Sequence, residues 1–250
     1  MRGWIVPLIA AGAALAMADG AMAQKSGGIL RMYFQDNAPS ASIHEEATTS
    51  TVVPFMPVYN NLVLFDQEQP RNTIDTVKPD LAESWHWSED GKQLTFKLRS
   101  GVKWHDGKPF TAKDVKCTFD MVRGVSSAKL RKNPRKIWYS NVQDIEVKGD
   151  HEVTFHLGRP QPSLLMLLAS GYSPVYPCHV SPADMRTKPV GTGPFKFVEF
   201  KRNEHIKLAR NPDYWKPDRP YLDGIEYTIV TNRSTAVLGF VSRTFDITSP

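Results

Sequence analysis

The amino-acid sequence predicts a mixed α/β fold of the α+β type, and three observations support this. Pairs of short segments with alternating apolar and polar residues flank turn residues, which is the pattern of β-hairpins. Segments with helical spacing of apolar residues lie between these hairpins. No sequence period repeats, and strands do not alternate regularly with helices, so a purely parallel βαβ architecture is disfavoured.

The apolar patterns and turn residues predict a series of strands, hairpins and helices. In chain order they are a strand at 29–34, a helix at 58–63, a hairpin at 84–99, a short strand at 102–105, a helix at 112–123, a hairpin at 142–157, a helix at 162–170, a hairpin at 195–208, a strand at 227–230 and a helix at 234–241. The hairpin at 84–99 has the clearest pattern. Leu94, Phe96 and Leu98 alternate with polar residues, and Asp90-Gly91 suits a tight turn that needs positive φ angles.

The helix at 112–123 has recognisable signals at both ends. Thr111 stands three residues before Asp114, which is the spacing of a capping box. Apolar residues follow at helical spacing, and Gly124 occupies the position where helices commonly stop. We therefore expect one face of this helix to be buried.

Length and composition restrict the class of protein. The chain has 250 residues, of which 41% are hydrophobic and 23% charged, an ordinary globular composition that excludes collagen-like, disordered and coiled-coil proteins. This length can bury a substantial core, in one large domain or two smaller ones.

Residues 1–23 resemble a cleavable signal peptide. Arg2 precedes an apolar run, and Ala21-Met22-Ala23 is a suitable cleavage site. The apolar run is shorter than the ~20 residues that a membrane-spanning helix needs, which disfavours the alternative of an uncleaved anchor. No cysteine follows the cleavage site, so we expect an exported protein without a lipid anchor.

The formal net charge of +5 raises the question of nucleic-acid binding. Most of the excess lies in one run, comprising Lys129, Arg131, Lys132, Arg135 and Lys136. A nucleic-acid site would interleave such charges with stacking aromatic residues or place them on a known motif. Asn133-Pro134 interrupts this run, so we expect a solvated loop and no nucleic-acid partner.

Signatures of catalysis and metal binding are missing from the sequence. Residues 44–48 lack the second histidine of HExxH, and residues 124–128 lack the second glycine of GxSxG. Gly191-Thr192-Gly193-Pro194 is no phosphate loop because proline removes a backbone donor, so we expect a tight turn. Cys117 and Cys178 could pair in an oxidising compartment, but spacing alone leaves this open.

Several ordered blocks carry a resemblance to a known family. The runs are PDLAESWHWSEDGK at 79–92, LTFKLRSGVKWHDGKPFTAKDV at 94–115, GTGPF at 191–195 and NPDYW at 211–215. Together with the segment 234–247 they resemble extracellular solute-binding proteins of the dipeptide/oligopeptide/nickel class, family 5. Arg243-Thr244 departs from the usual pattern of that last segment.

The resemblance implies a periplasmic-binding-protein-like fold with two lobes around a cleft. It implies that residues 24–250 form the strand-rich first lobe, with one subdomain at about 28–60 and 188–250 and a second inserted at about 61–187. The second lobe, with most charged ligand anchors, is expected beyond residue 250, so we expect a truncated chain. Closure of two lobes on the ligand is the expected hinge motion.

The resemblance also implies a function and site residues. We expect the periplasmic binding component of an ABC importer, a monomer that takes a peptide or other small solute to an inner-membrane permease, without enzymatic activity, metal or cofactor. The implied solute-contacting residues are Gln35, Asp36, Asn37, Tyr59 and Asn60. The competing interpretation is that Asp36 and Asn37 form a turn and that Tyr59 belongs to the core. An export-associated chaperone on the same fold and a secreted hydrolase remain alternative functions.

Overall fold

The computed structural model describes residues 25–247, which form two four-stranded sheets, a two-stranded ribbon and five α-helices. The signal peptide predicted at residues 1–23 lies outside the described residues. The strands are β1 (Ile29–Phe34), β2 (Val63–Phe65), β3 (Val77–Pro79), β4 (Ala82–Trp87), β5 (Gln93–Leu98), β6 (Val142–Lys148), β7 (Glu152–Leu157), β8 (Phe195–Lys201), β9 (His205–Arg210) and β10 (Gly224–Ile229). The helices are α1 (Thr49–Phe55), α2 (Ala112–Arg123), α3 (Ser163–Ala169), α4 (Pro182–Met185) and α5 (Arg233–Val241).

The first sheet combines the N-terminal strand with the C-terminal part of the chain, in the order β1-β10-β9-β8. β1 runs parallel to β10, whereas the other neighbours are antiparallel. The carboxyl ends of β1, β8 and β10 therefore lie at the same edge of the sheet. Its buried side chains include Ile206, Leu208, Ile225 and Tyr227.

The second sheet consists of two hairpins in the order β4-β5-β7-β6, and it confirms the hairpins predicted at 84–99 and 142–157. Gly91 and Gly149 have φ values of 65° and 63°, the left-handed conformation that their turns require. Phe119 of α2 packs on Phe155, with the ring centroids 5.3 Å apart, so the helix covers one face of this sheet. A hydrophobic cluster separate from that of the first sheet results.

Helix α2 begins and ends where its sequence signals indicate. The Asp114 carboxylate accepts a hydrogen bond from the backbone N–H of Thr111 at 2.9 Å, which completes the predicted capping box. Gly124 ends the helix in the left-handed region with φ of 81°. A disulfide joins Cys117 of this helix to Cys178, whose Cα atoms are 5.8 Å apart.

The prediction of a helix at 58–63 is wrong. The helical turn comes earlier, as α1 followed by a 3-10 turn at Met56–Val58, and the chain is extended from Tyr59. Residues 63–65 instead form β2, which pairs with β3. The prediction failed because β2 is stabilised by pairing with β3, which lies more than ten residues further along the chain and leaves no local sequence signal.

The short strand predicted at 102–105 is also not formed. Only an isolated bridge joins Lys103 and Pro109. The backbone N–H of Trp104 donates to Lys108, and that of His105 donates to Gly191 at 2.8 Å. A turn and a cross-chain contact therefore take the hydrogen bonds that a strand would have used.

Candidate functional site

A buried segment at residues 38–46, here named the strap, follows β1. All its residues except Pro39 are buried, yet none belongs to a helix or sheet. Side chains hold its backbone: the Tyr59 hydroxyl donates to Ala41 O at 3.3 Å, and the Tyr176 hydroxyl accepts from the His44 N–H at 3.3 Å. The fold thus fixes an irregular segment near the edge where β1 ends.

Arg135 lies fully buried behind the strap. Its guanidinium donates to the carbonyl oxygens of Ile43 and Glu46, the latter at 2.6 Å. The prediction of a solvated loop for the whole basic run is therefore wrong at Arg135. The strap's carbonyl groups compensate for the lost hydration of this cation, and they come from a distant part of the sequence.

Two aromatic rings enclose the same guanidinium. The Arg135 Cζ lies 4.7 Å from the Tyr172 ring centroid and 5.7 Å from the Trp138 centroid. Trp138 and Tyr172 meet edge to face, with centroids 5.8 Å apart and an interplanar angle of 84°. A cation between two rings is a stabilising arrangement, and it fixes both rings in orientation.

These rings extend into a solvent-accessible apolar patch. Trp138 is 42% exposed and Met56 is 45% exposed. Gly171 lies between Met56 and Tyr172, and a Cβ there would collide with the Met56 sulfur. We name Met56, Gly171, Tyr172 and Trp138 the aromatic surface. Chemically it offers flat apolar contact area above a buried positive charge, which suits an organic solute with both apolar and anionic groups.

A row of buried rings supports the strap from behind. Tyr59 stacks on Tyr176 at 5.1 Å, and His44 meets Tyr176 edge to face at 4.5 Å. The His44 Nε2 is 2.7 Å from Pro174 O. Burial lowers the pKa of His44 to about 3, so the ring is neutral near pH 7 and Nε2–H is the donor to that carbonyl.

The structure separates the five site residues that the sequence predicted. Gln35 and Asp36 are exposed just after β1. Asn37 faces the turn between β8 and β9, where its side chain both donates to and accepts from Asn203 at 2.7 Å. Tyr59 lies beneath the strap, and Asn60 belongs to a different network, so these residues do not form a single cluster.

Asn60 is the centre of a buried polar network. Its Nδ2 donates to both carboxylate oxygens of Asp80 at 3.2 and 3.0 Å and is 3.2 Å from the Tyr214 hydroxyl. Its Oδ1 accepts from Thr192 at 3.1 Å and from the Trp215 indole at 3.2 Å. The three sequence blocks that begin at residues 79, 191 and 211 therefore meet at one side chain. Asn60 thus has a structural role in joining them.

Asp80 carries the charge of this network. Burial raises its pKa, while the Lys216 ammonium group, 2.7 Å from the carboxylate, acts in the opposite direction. The same ammonium group and the Arg99 guanidinium lie 4.8 and 4.9 Å from the Trp215 ring centroid. Both carboxylate oxygens of Asp80 and both polar side-chain atoms of Asn60 have partners within the network.

The Gly191–Pro194 turn packs against the segment that follows α1. The Gly193 N–H donates to Val58 O at 2.9 Å, and a Cβ on Gly193 would lie 2.5 Å from Pro57 O. Gly191 is crowded by Val58 in the same way. These glycines are required because two backbones approach closely.

Sequence reasoning missed Met56, Tyr172 and Trp138. An aromatic residue close to the basic run was the one available signal, since Trp138 follows Arg135 by three positions. Within residues 25–247, no cluster of three His, Cys, Asp or Glu side chains is placed to hold a metal ion. In the same range, no helix combines the length and hydrophobicity needed to cross a membrane.

Comparison with solved structures assigns the fold to the periplasmic binding proteins. The chain superposes on the ABC transporter-associated periplasmic binding protein DppA from Helicobacter pylori, in complex with the peptide STSA, with a TM-score of 0.80 and 28% identity, over 90% of this chain and 47% of that one. The mannopinic acid complex of MoaA from A. tumefaciens R10 gives a TM-score of 0.80 at 27% identity, over 90% and 45% of the two chains.

The sequence comparison identifies the family. Residues 76–250 match "Bacterial extracellular solute-binding proteins, family 5 Middle", and the chain belongs to this family. It is 37% identical over 171 residues to the oligopeptide-binding protein AppA of Bacillus subtilis, covering 64% of this chain and 30% of AppA. It is 32% identical over 198 residues to di/tripeptide-binding protein 1 of Pseudomonas aeruginosa, covering 71% and 36%. The chain thus spans about a third of the length of these curated relatives, both of which are named as peptide-binding proteins.

Proposed function

We propose that this chain forms one wall of the solute site in the periplasmic binding component of an ABC importer for peptides or related solutes. The observation that carries the proposal is the aromatic surface above buried Arg135. An exposed tryptophan held by a cation–π contact provides contact area at small entropic cost. Apolar and aromatic side chains of a peptide would pack on Trp138 and Met56.

Residues at the carboxyl edge of the first sheet belong to the same proposal. Gln35 and Asp36 are exposed beside the strap and would supply polar contacts to the solute, whereas Asn37 would hold their loop to the β8–β9 turn. Tyr59 and Asn60 would position this wall from beneath. The remaining contacts, including the opposite wall of a cleft, would come from sequence that the longer relatives contain.

The proposal extends to domain organisation and delivery. The first sheet, with β1 and the strands after residue 190, would be one subdomain, and residues 61–187 would be an inserted second one. Export to the periplasm, as a monomer, would place the protein beside an inner-membrane permease. Because the relatives bind peptides and an opine such as mannopinic acid, both classes of solute belong in the test.

Thermal unfolding with added solute tests this function. A solute that binds only the native state raises the midpoint temperature. We expect the dipeptide Met-Leu, whose side chains are both apolar, to raise it slightly at millimolar concentration, with weaker than micromolar affinity, and we expect Trp138→Ala to abolish the rise. Val198→Ala, at an exposed apolar position on β8, is the matched control and should retain it. An undiminished rise in Trp138→Ala, or no rise with any peptide or mannopinic acid, would contradict the proposal.

A further inference from the structure

A cavity of about 350 Å³ on the other side of the strap collects arginines from three separate chain segments. Arg131 comes from the loop after α2, Arg186 from the end of α4, and Arg202 from the turn between β8 and β9. The rest of the wall comes from Pro39 and Ser40 of the strap, Thr187 and Phe200. None of these residues belongs to the aromatic surface. Convergence of three cations from distant sequence positions is the arrangement of an anion-binding site.

Two buried carboxylates orient these arginines from behind. Arg131 pairs with Glu46 at 2.8 Å, and Arg186 pairs with Glu45 at 3.0 Å. The Glu45 side chain is fully buried and that of Glu46 is 6% exposed, whereas the Arg131 side chain remains 50% exposed. A ligand that enters from solvent therefore meets the guanidinium groups and not the carboxylates.

The third arginine has donors to spare. Arg202 gives one N–H to Pro39 O at 2.7 Å, and no carboxylate among residues 25–247 lies within ion-pair distance of it. Since a guanidinium has five N–H donors, most of its capacity faces the cavity and solvent.

The charges around the strap do not balance. Arg131, Arg186 and Arg202 bring three positive charges, and Glu45 and Glu46 bring two negative ones. One positive charge is therefore left without a carboxylate partner among the described residues, and it is available to an anion that enters the cavity.

We propose that this arginine cavity binds a small oxyanion, that is, a phosphate or a carboxylate. Planar guanidinium forks match the oxygen geometry of both groups and can bind them through paired hydrogen bonds. The cavity is large enough for a small organic acid. Binding would neutralise the excess charge and stabilise the contacts of the strap with α4 and with the β8–β9 turn.

Titration calorimetry of the purified chain with inorganic phosphate and with succinate, at constant ionic strength set by sodium chloride, tests the site. We expect saturable one-to-one binding of at least one of the two anions. The anion that binds shows whether the site recognises a phosphate or a carboxylate. Arg202→Gln should weaken that affinity at least fivefold. Arg71→Gln removes an exposed arginine outside the cavity and should change it less than twofold.

Two further variants make the result specific. Arg131→Gln should also weaken oxyanion binding, and circular dichroism checks that the variant is folded. Trp138→Ala should leave oxyanion affinity unchanged, so failure of this proposal and failure of the proposed peptide function are separable. The inference would be overturned if neither oxyanion bound at a concentration of about 10 mM, or if Arg202→Gln bound it as tightly as the unchanged protein. It would also be overturned if sodium chloride at the same ionic strength gave the same binding signal as the oxyanion.

Discussion

Asn60 donates its side-chain amide to both carboxylate oxygens of Asp80, and this buried pair joins three sequence-distant blocks of the fold. Through the other partners of Asn60, the Gly191–Pro194 turn and the loop at residues 211–215 are fixed to the segment that precedes β2. The same segment carries Tyr59, which supports the strap. Damage to this pair should therefore weaken the whole wall.

Asp80→Ala tests that role. The substitution removes the carboxylate that Asn60, the Asn61 N–H and Lys216 share, and leaves their donors unpaired. We expect the free energy of unfolding to fall by about 3 kcal/mol. This is the low end of the range for breaking a buried ion pair, because the Lys216 ammonium group can reach solvent.

Urea denaturation measures the change, and the control is Glu83→Ala. Glu83 pairs with Lys97 at 3.1 Å on the surface, so its removal should cost less than about 1 kcal/mol. Equal losses in the two variants would show that the Asp80 network carries no special structural role.

His44 should make the protein less stable in mild acid. Its pKa is about 3 in the folded chain and 6.5 in its ordinary state, so between these values the unfolded chain binds more protons. Stability is fully present above pH 6.5 and is lost as the pH falls from 6.5 towards 3. From this residue alone we expect a loss of about 2 kcal/mol between pH 8 and pH 5.

Urea denaturation at a series of pH values checks this expectation. His44→Gln removes the titrating ring and should flatten the pH dependence by about that amount. Burial also lowers the pKa of His105, to about 4, so His105→Gln should remove a second part of the slope. An unchanged slope in both variants would contradict the assignment.

The Cys117–Cys178 bond should stabilise the link between α2 and the loop before α4. It closes a loop with a sequence separation of 61, for which we expect about 2–4 kcal/mol of stabilisation. Chemical denaturation with and without dithiothreitol measures this contribution. The variant Cys117→Ala/Cys178→Ala should be destabilised to the same extent and insensitive to the reductant; a reductant effect that persists in it would have another origin.

Local signals made much of the fold predictable from sequence. The hairpin at 84–99 depends on Asp90-Gly91 and on alternation within a few residues, and α2 depends on Thr111, Asp114 and Gly124. Each of these features acts over short separations. The structure therefore reproduces them as the sequence pattern indicates.

Features that depend on distant partners were not predictable in this way. The basic run gave no sign that Arg135 would be buried, because its acceptors, Ile43 and Glu46, lie about ninety residues earlier in the chain. The helix predicted at 58–63 failed because β2 finds its partner in β3. The aromatic surface was missed for the same reason, since Met56, Trp138 and Tyr172 come from three separate segments.

The most direct test of the central claim is the effect of a peptide on the indole N–H signal of Trp138 in an NMR titration. Trp138→Phe assigns the signal, and Trp87, on the second sheet, is the internal reference. With the millimolar apolar dipeptide Met-Leu we predict that the Trp138 signal shifts progressively and that the Trp87 signal does not. A Trp138 signal that stays fixed, or that moves no more than that of Trp87, would contradict the assignment of this surface to solute binding.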